Sequence, residues 1–123
     1  MGKLIDCITF FDNNYIFDFR YNVIKNYVDK FIVCESLFDH KNNPKKINFD
    51  IENKYKNNSQ VIHLVLKNPF PKSTNPWQNQ AIQREYILEN LNFTNEEDLI
   101  FFSDPDEIPN PNLLSNFILK KKY

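Results

Sequence analysis

The chain of 123 residues contains a single glycine, Gly2. Phosphate loops of the Walker and dinucleotide types need several glycines, so that the backbone can turn tightly against phosphate, and both are excluded. Any phosphate bound here must be held by a metal ion and by side chains. Cysteine is nearly as scarce. Cys7 and Cys34 lie in separate apolar runs, and no Cys-x-x-Cys spacing exists. Zinc and dithiol motifs are therefore unsupported, and the two residues read as buried thiols in a reducing compartment. Neither sign of charge is in surplus: 15 basic residues face 16 acidic ones, for a net charge of -1. A nucleic-acid footprint needs a basic surplus, so no nucleic-acid partner is expected. No apolar stretch reaches the length of a membrane helix, and no signal-peptide pattern precedes Leu4-Ile5. The expectation is a soluble, cytoplasmic chain without a membrane segment. No Ser/His/Asp or Cys/His arrangement stands out, so the catalytic residue is unknown.

What is present is aromatic side chain. Phe, Trp and Tyr make up 15% of the chain, led by twelve Phe, which argues for a folded core. Four short, continuously apolar runs, at residues 4–11, 31–35, 61–66 and 99–103, read as buried strands of a parallel sheet covered on both faces. Helical patterns lie between them. The first follows Asp12-Asn13-Asn14 and puts Ile16, Val23 and Tyr27 on one stripe. The crossover over residues 39–59 is polar, with a short helix near 49–55. The third helix starts at Asn75 as cap, with Pro76 in its first position, and lines Trp77, Ala81, Leu88 and Leu91 on one face. A last helix is expected over residues 112–121. Strands alternating with helices predict a doubly wound α/β fold in one domain, at the low end of length for a complete enzyme.

The chemistry concentrates where the fourth strand stops. Leu99-Ile100-Phe101-Phe102-Ser103 runs into Asp104-Pro105-Asp106-Glu107. Carboxylates at the carboxyl end of such a strand sit where open α/β sheets bind ligands. Asp104 and Asp106 are two apart and share a side in an extended chain. Crowded carboxylates suit Mg²⁺ or Mn²⁺, with a substrate phosphate completing the coordination. The cluster alone reads equally well as a turn, because Asp-Pro pairs are ordinary turn residues. An aspartyl-phosphate phosphatase reading is weak, since the pair follows the fourth strand and Ile108 stands where a small residue is needed. Arg20 and Arg84 fall on the apolar stripes of their helices. Each needs a partner, for which Glu35 and the Asp104 cluster are candidates, or snorkels to water. His63, mid-strand, reads as a satisfied core histidine, and His40 as a solvated loop residue.

In order and spacing these pieces resemble glycosyltransferase family 17. The matching segments are Asp6-Cys7-Ile8-Thr9-Phe10-Phe11-Asp12, Phe17 to Asn22 with Arg20, the strand ending in Glu35-Ser36, Pro44-Lys45, Trp77-Gln78-Asn79-Gln80 with Gln83-Arg84, and Ser103-Asp104-Pro105-Asp106-Glu107. Asn42 stands where the family tends to have Gly, Lys46 replaces a second Pro, and Gln78 replaces a Glu. The resemblance implies a GT-A-like, Rossmann-type, mostly parallel sheet of about four strands. It implies a UDP-sugar donor, UDP-N-acetylglucosamine in the known activity, and a glycan acceptor. It also implies Mn²⁺ or Mg²⁺ held at Asp106, with Asp104 nearer the ribose or a water on the metal. From the residues themselves, Arg84 and Arg20 are expected to bind donor phosphate or to position the carboxylates, with Glu35 and Glu107 behind them. Family members run well past the acidic motif. Residues 1–123 are therefore expected to be a truncated domain, the donor-binding half. The alternative is a non-catalytic remnant or interaction module that keeps the fold without turnover.

Overall fold

The structure, a computed structural model, describes residues 3–92 and 97–112. Strands β1 (Leu4–Phe10), β2 (Lys30–Ser36), β3 (Val61–Leu66) and β4 (Leu99–Ser103) form one sheet, and every neighbouring pair is parallel. Helix α1 (Asn14–Ile24) joins β1 to β2, a single turn α2 (Ile51–Lys54) lies between β2 and β3, and α3 (Pro76–Glu89) joins β3 to β4. This is the expected α/β fold, with strand bounds within one residue of those read from the apolar runs. The helix expected over residues 112–121 lies outside the described residues beyond its first position.

The strand order is β3-β2-β1-β4. The chain leaves β1 toward β2 and β3, then returns to the opposite side of β1 as β4. The carboxyl ends of β1 and β4 therefore flank a topological switch point, where neighbouring connections diverge and leave a crevice. Register places Ile8 beside Ser103, so the acidic segment after β4 emerges next to the end of β1.

Alternation along the strands sends side chains to two cores. Leu4, Ile8 and Phe10 of β1 pack with Phe31 and Val33 of β2, with Phe17 and Ile24 of α1, and with Phe49 and Tyr55. Phe17 is fully buried, with edge-on rings of Phe31, Phe49 and Tyr55 at 5.1–5.9 Å, a favourable aromatic geometry. The opposite face joins Ile5, Cys7, Ile32 and Cys34 to Ile87 and Leu91. Burial pushes both thiols up to about 12. Almost no thiolate exists there at neutral pH, and the thiolate is the reactive form. Native protein is expected to resist iodoacetamide at Cys7 and Cys34, and unfolded protein to label at both. Rapid native labelling by mass spectrometry would contradict the packing of α3 on the sheet.

Two helix faces differ from the sequence pattern. On α1 the buried residues are Phe17, Arg20 and Ile24, one position on from Ile16 and Val23, which are only partly covered. On α3 the change is larger. Its buried residues are Asn79, Gln83 and Ile87, whereas Trp77 is 82% and Leu88 54% exposed. Ala81 is exposed as well, and of the expected face only Leu91 is buried. Buried amides bond to backbone more directionally than an apolar stripe packs, and they decide which side of α3 faces the sheet. The start of α3 matches the sequence in detail. The Asn75 side chain accepts from the Gln78 N–H, and the Gln78 side chain accepts from the Asn75 N–H. Glutamine serves this capping box as glutamate would, so the replacement at Gln78 leaves the cap intact.

Candidate functional site

The segment after β4 is a closed turn. The Asp104 carbonyl accepts from the Glu107 N–H at 2.9 Å, with Pro105 supplying the φ that a first turn position needs. The Glu107 carboxylate accepts from the Asp104 N–H at 3.0 Å and closes the loop from the other side. Asp104 and Asp106 thus lie in a tight turn rather than in extended chain. The turn that the Asp-Pro pair signals is therefore formed.

Arg20 holds this turn from beneath and is fully buried. Its Nε and Nη2 donate to Oδ2 and Oδ1 of Asp6 at 2.7 and 2.5 Å, a two-pronged pair. The second Nη2 hydrogen reaches the Ser103 hydroxyl at 2.7 Å. Nη1 donates to the carbonyls of Asp104 and Glu107 at 3.3 and 2.8 Å. All five guanidinium N–H groups are used, which makes a buried charge tolerable. The partner of Arg20 is Asp6, neither Glu35 nor the Asp104 carboxylate. The signal in the sequence was a charged residue inside the apolar run Leu4-Ile5-Asp6-Cys7-Ile8. A carboxylate there faces one of the two cores and requires a cation.

Arg84 is not inward. Its Nη2 lies 3.6 Å from Asp104 Oδ1, and the two side chains are 45% and 46% exposed. At that distance it is a solvated ion pair rather than a hydrogen bond, and weak. Asp106 is exposed, and its carboxylate is bound to no described residue. Among the described residues, no three His, Cys, Asp or Glu side chains converge as a ready metal cage. The donor set is two solvent-facing carboxylates, with Glu107 committed to the turn. Such a set suits a hard cation that keeps water and takes phosphate oxygens, as Mg²⁺ and Mn²⁺ do.

Glu35 is fully buried at the end of β2 and ties down a different loop. It accepts from Lys45 Nζ at 2.8 Å, from His63 Nε2 at 3.2 Å, and from the N–H groups of Asn48 and Phe49 at 2.5 and 3.1 Å. His63 is thereby the satisfied core histidine that the sequence implies. Burial alone would raise the Glu35 carboxyl, but the hydrogen bonds from His63, Lys45 and the two backbone groups outweigh it and set the pKa below 4.5. The unfolded chain therefore takes up the proton first as pH falls. The stability contributed by Glu35 is complete above the unfolded value of 4.5 and is lost as pH drops through the lower folded value. Glu35→Gln is expected to flatten the acid side of the stability profile in urea titrations. An unchanged acid slope would remove Glu35 from that account.

In the same loop Asn42 has φ 68°, the left-handed region that glycine occupies without strain and asparagine tolerates. Its side chain exchanges two hydrogen bonds with the Phe70 backbone, both at 2.9 Å. Asparagine in place of glycine is accounted for by that conformation.

At the ends of β1 and β2 is a small open cleft of about 50 Å³, lined by Thr9, Phe10 and Phe11 at the end of β1, by Ser36, Phe38, Asp39, His40 and Lys45 at and after the end of β2, and by Gln83 of α3. His40 is not simply solvated. Its Nε2 meets Gln83 Oε1 at 2.7 Å, and its carbonyl accepts from Asn79 Nδ2 at 2.8 Å. The buried amides of α3 position His40 at the cleft. Sequence pattern missed them because Asn79 and Gln83 fall off the apolar stripe.

Residues 1–120 match the model of glycosyltransferase family 17. No curated protein and no solved structure matches the chain.

Proposed function

The chain belongs to glycosyltransferase family 17, and on that footing we propose that it binds a UDP-sugar donor, UDP-N-acetylglucosamine, in a metal-dependent manner for transfer to a glycan acceptor. The observation that supports this most is the acidic turn beside the β1–β4 switch point, held by the buried Arg20 with Asp106 left free. Asp106, with Asp104 beside it, would hold Mn²⁺ or Mg²⁺, and the ion when bound would stabilise negative charge on the departing diphosphate. The chain's own part is positional. Arg20 fixes the height of the turn over the sheet edge, the Arg84 charge offsets Asp104, and the cleft beside Phe10 and Phe11 receives the nucleoside. In the transfer, the bond between the anomeric carbon and the diphosphate oxygen breaks, and its electron pair leaves with the nucleotide. The acceptor hydroxyl oxygen forms the new bond and releases its proton. Cytoplasmic residence, in keeping with two free buried thiols, is part of the same proposal.

The second reading is a non-catalytic remnant or interaction module that keeps the fold without turnover. The exposed stripe of Trp77, Ala81 and Leu88 favours it, because apolar surface of this kind marks contact with another molecule. Calorimetric titration of UDP-N-acetylglucosamine with and without Mn²⁺, followed by a donor-hydrolysis and transfer assay, separates the two. Metal-dependent binding with transfer supports the first reading, and metal-dependent binding without turnover supports the second. A chain that binds no nucleotide sugar in either condition would overturn the first reading.

A further inference from the structure

We infer that His40 reads the nucleobase of the donor, its Nδ1 accepting a hydrogen bond from the imide N–H of a uracil-type ring. This rests on the nucleotide-sugar reading above and adds the residue that selects the base. The argument starts from Gln83. Its Nε2 donates to the Cys34 carbonyl at 2.8 Å, which fixes the orientation of the buried amide. The Oε1 end then faces His40 and can only accept. The 2.7 Å contact with His40 Nε2 therefore places the ring proton on Nε2. In the neutral ring Nδ1 is left as a bare acceptor. Among the described residues no group bonds to it, and no buried polar side-chain atom lacks a partner, so Nδ1 is accessible on a residue that lines the cleft.

The surroundings of that nitrogen suit a flat, part-apolar ring. Phe11, which is 54% exposed, and Phe38 line the same cleft, and exposed aromatic faces stack on any base. The ring itself is braced by the edge-on Phe70 at 5.9 Å and by the Asn79 bond to its backbone. Position supports the base over the reacting sugar. The cleft opens at the ends of β1 and β2, whereas the acidic turn follows β4, on the far side of β1. From β2 to β4 is two strand spacings, about 10 Å, comparable with the reach from a base through its ribose to the diphosphate. A bare acceptor discriminates by chemistry. Uracil offers an N–H at ring position three, where cytosine offers a lone pair. The mismatch leaves two acceptors facing each other and unpaired.

The test measures Kd for UDP and for CDP in the presence of Mn²⁺, using the full chain. The unaltered protein is expected to prefer UDP by about 10-fold to 100-fold. His40→Phe keeps a ring but loses the acceptor, and should bring the ratio near one while nucleotide binding still depends on metal. His40→Gln, whose carbonyl can accept, should restore part of the preference. If His40→Phe fails to fold, nitrogen NMR on the unaltered chain replaces it. The ring proton should sit on Nε2, and the Nδ1 signal should move with UDP and not with inorganic pyrophosphate. Equal affinity for UDP and CDP in the parent, or an unchanged ratio in His40→Phe, overturns the assignment. So does a loss of transfer rate at constant ratio, which would point to proton transfer instead. Failure of the nucleotide-sugar reading itself would show differently, as no metal-dependent binding of any nucleotide.

Discussion

An Arg20→Met chain is expected to lose about 3–5 kcal/mol of stability, the usual cost of removing one partner of a buried ion pair. Methionine fills most of the volume, so the loss reports the five missing hydrogen bonds and the charge left on Asp6 rather than a cavity. Asp6 is itself 1% exposed and has no water to turn to. Two carbonyls and one hydroxyl of the segment from Ser103 to Glu107 lose their donor at the same time. Arg20→Lys should recover little. An ammonium has three donors on a single nitrogen and cannot span Asp6 and the turn together. Paired replacement of Arg20 and Asp6 by apolar residues should cost less than Arg20→Met alone, because no charge is stranded. Urea unfolding of the four chains measures this. A loss below about 1 kcal/mol for Arg20→Met, the range of surface pairs, would show that the pair does not hold the fold.

Asp106→Asn should behave in the opposite way. The residue is exposed and bound to no described group, so stability should stay within about 0.5 kcal/mol of the parent. Removing its charge, with size kept, should lower metal-dependent donor turnover by about 100-fold or more, as loss of a group stabilising leaving-group charge does. Asp104→Asn should cost less, since Arg84 already offsets that carboxylate. The measurements are melting curves beside transfer rates at fixed Mn²⁺. Parent-like activity in Asp106→Asn would remove the acidic turn from the reaction. The contrast with Arg20 is diagnostic: stability should fall at one residue, and metal-dependent turnover without loss of stability at the other.

Four strands and their helices were legible because short apolar runs and caps are local signals, and β1 to β4 fall where those runs lie. The stripe on α3 was misread for a physical reason. Trp77, Ala81 and Leu88 have helical spacing, but the helix turns Asn79 and Gln83 to the sheet to bond the His40 and Cys34 backbone. Periodicity counts apolar area and is blind to a backbone acceptor brought in from another strand. Arg84 followed the misread face outward, while Arg20 stayed inward on its own.

By itself the sequence determined the element types, the absence of a glycine-rich phosphate loop, the place of Arg20 on an apolar helix stripe, and the family-like order of motifs ending in Asp104-Pro105-Asp106-Glu107. Tertiary structure alone decided that β4 returns beside β1, that Asp6 is the partner, and that His40 is aimed by Gln83. Those are contacts between residues 14 to 95 positions apart in the chain, and no local pattern encodes them. They arise when strand pairing sets which side chains meet, and the requirement that buried charges and amides be satisfied then selects among the meetings.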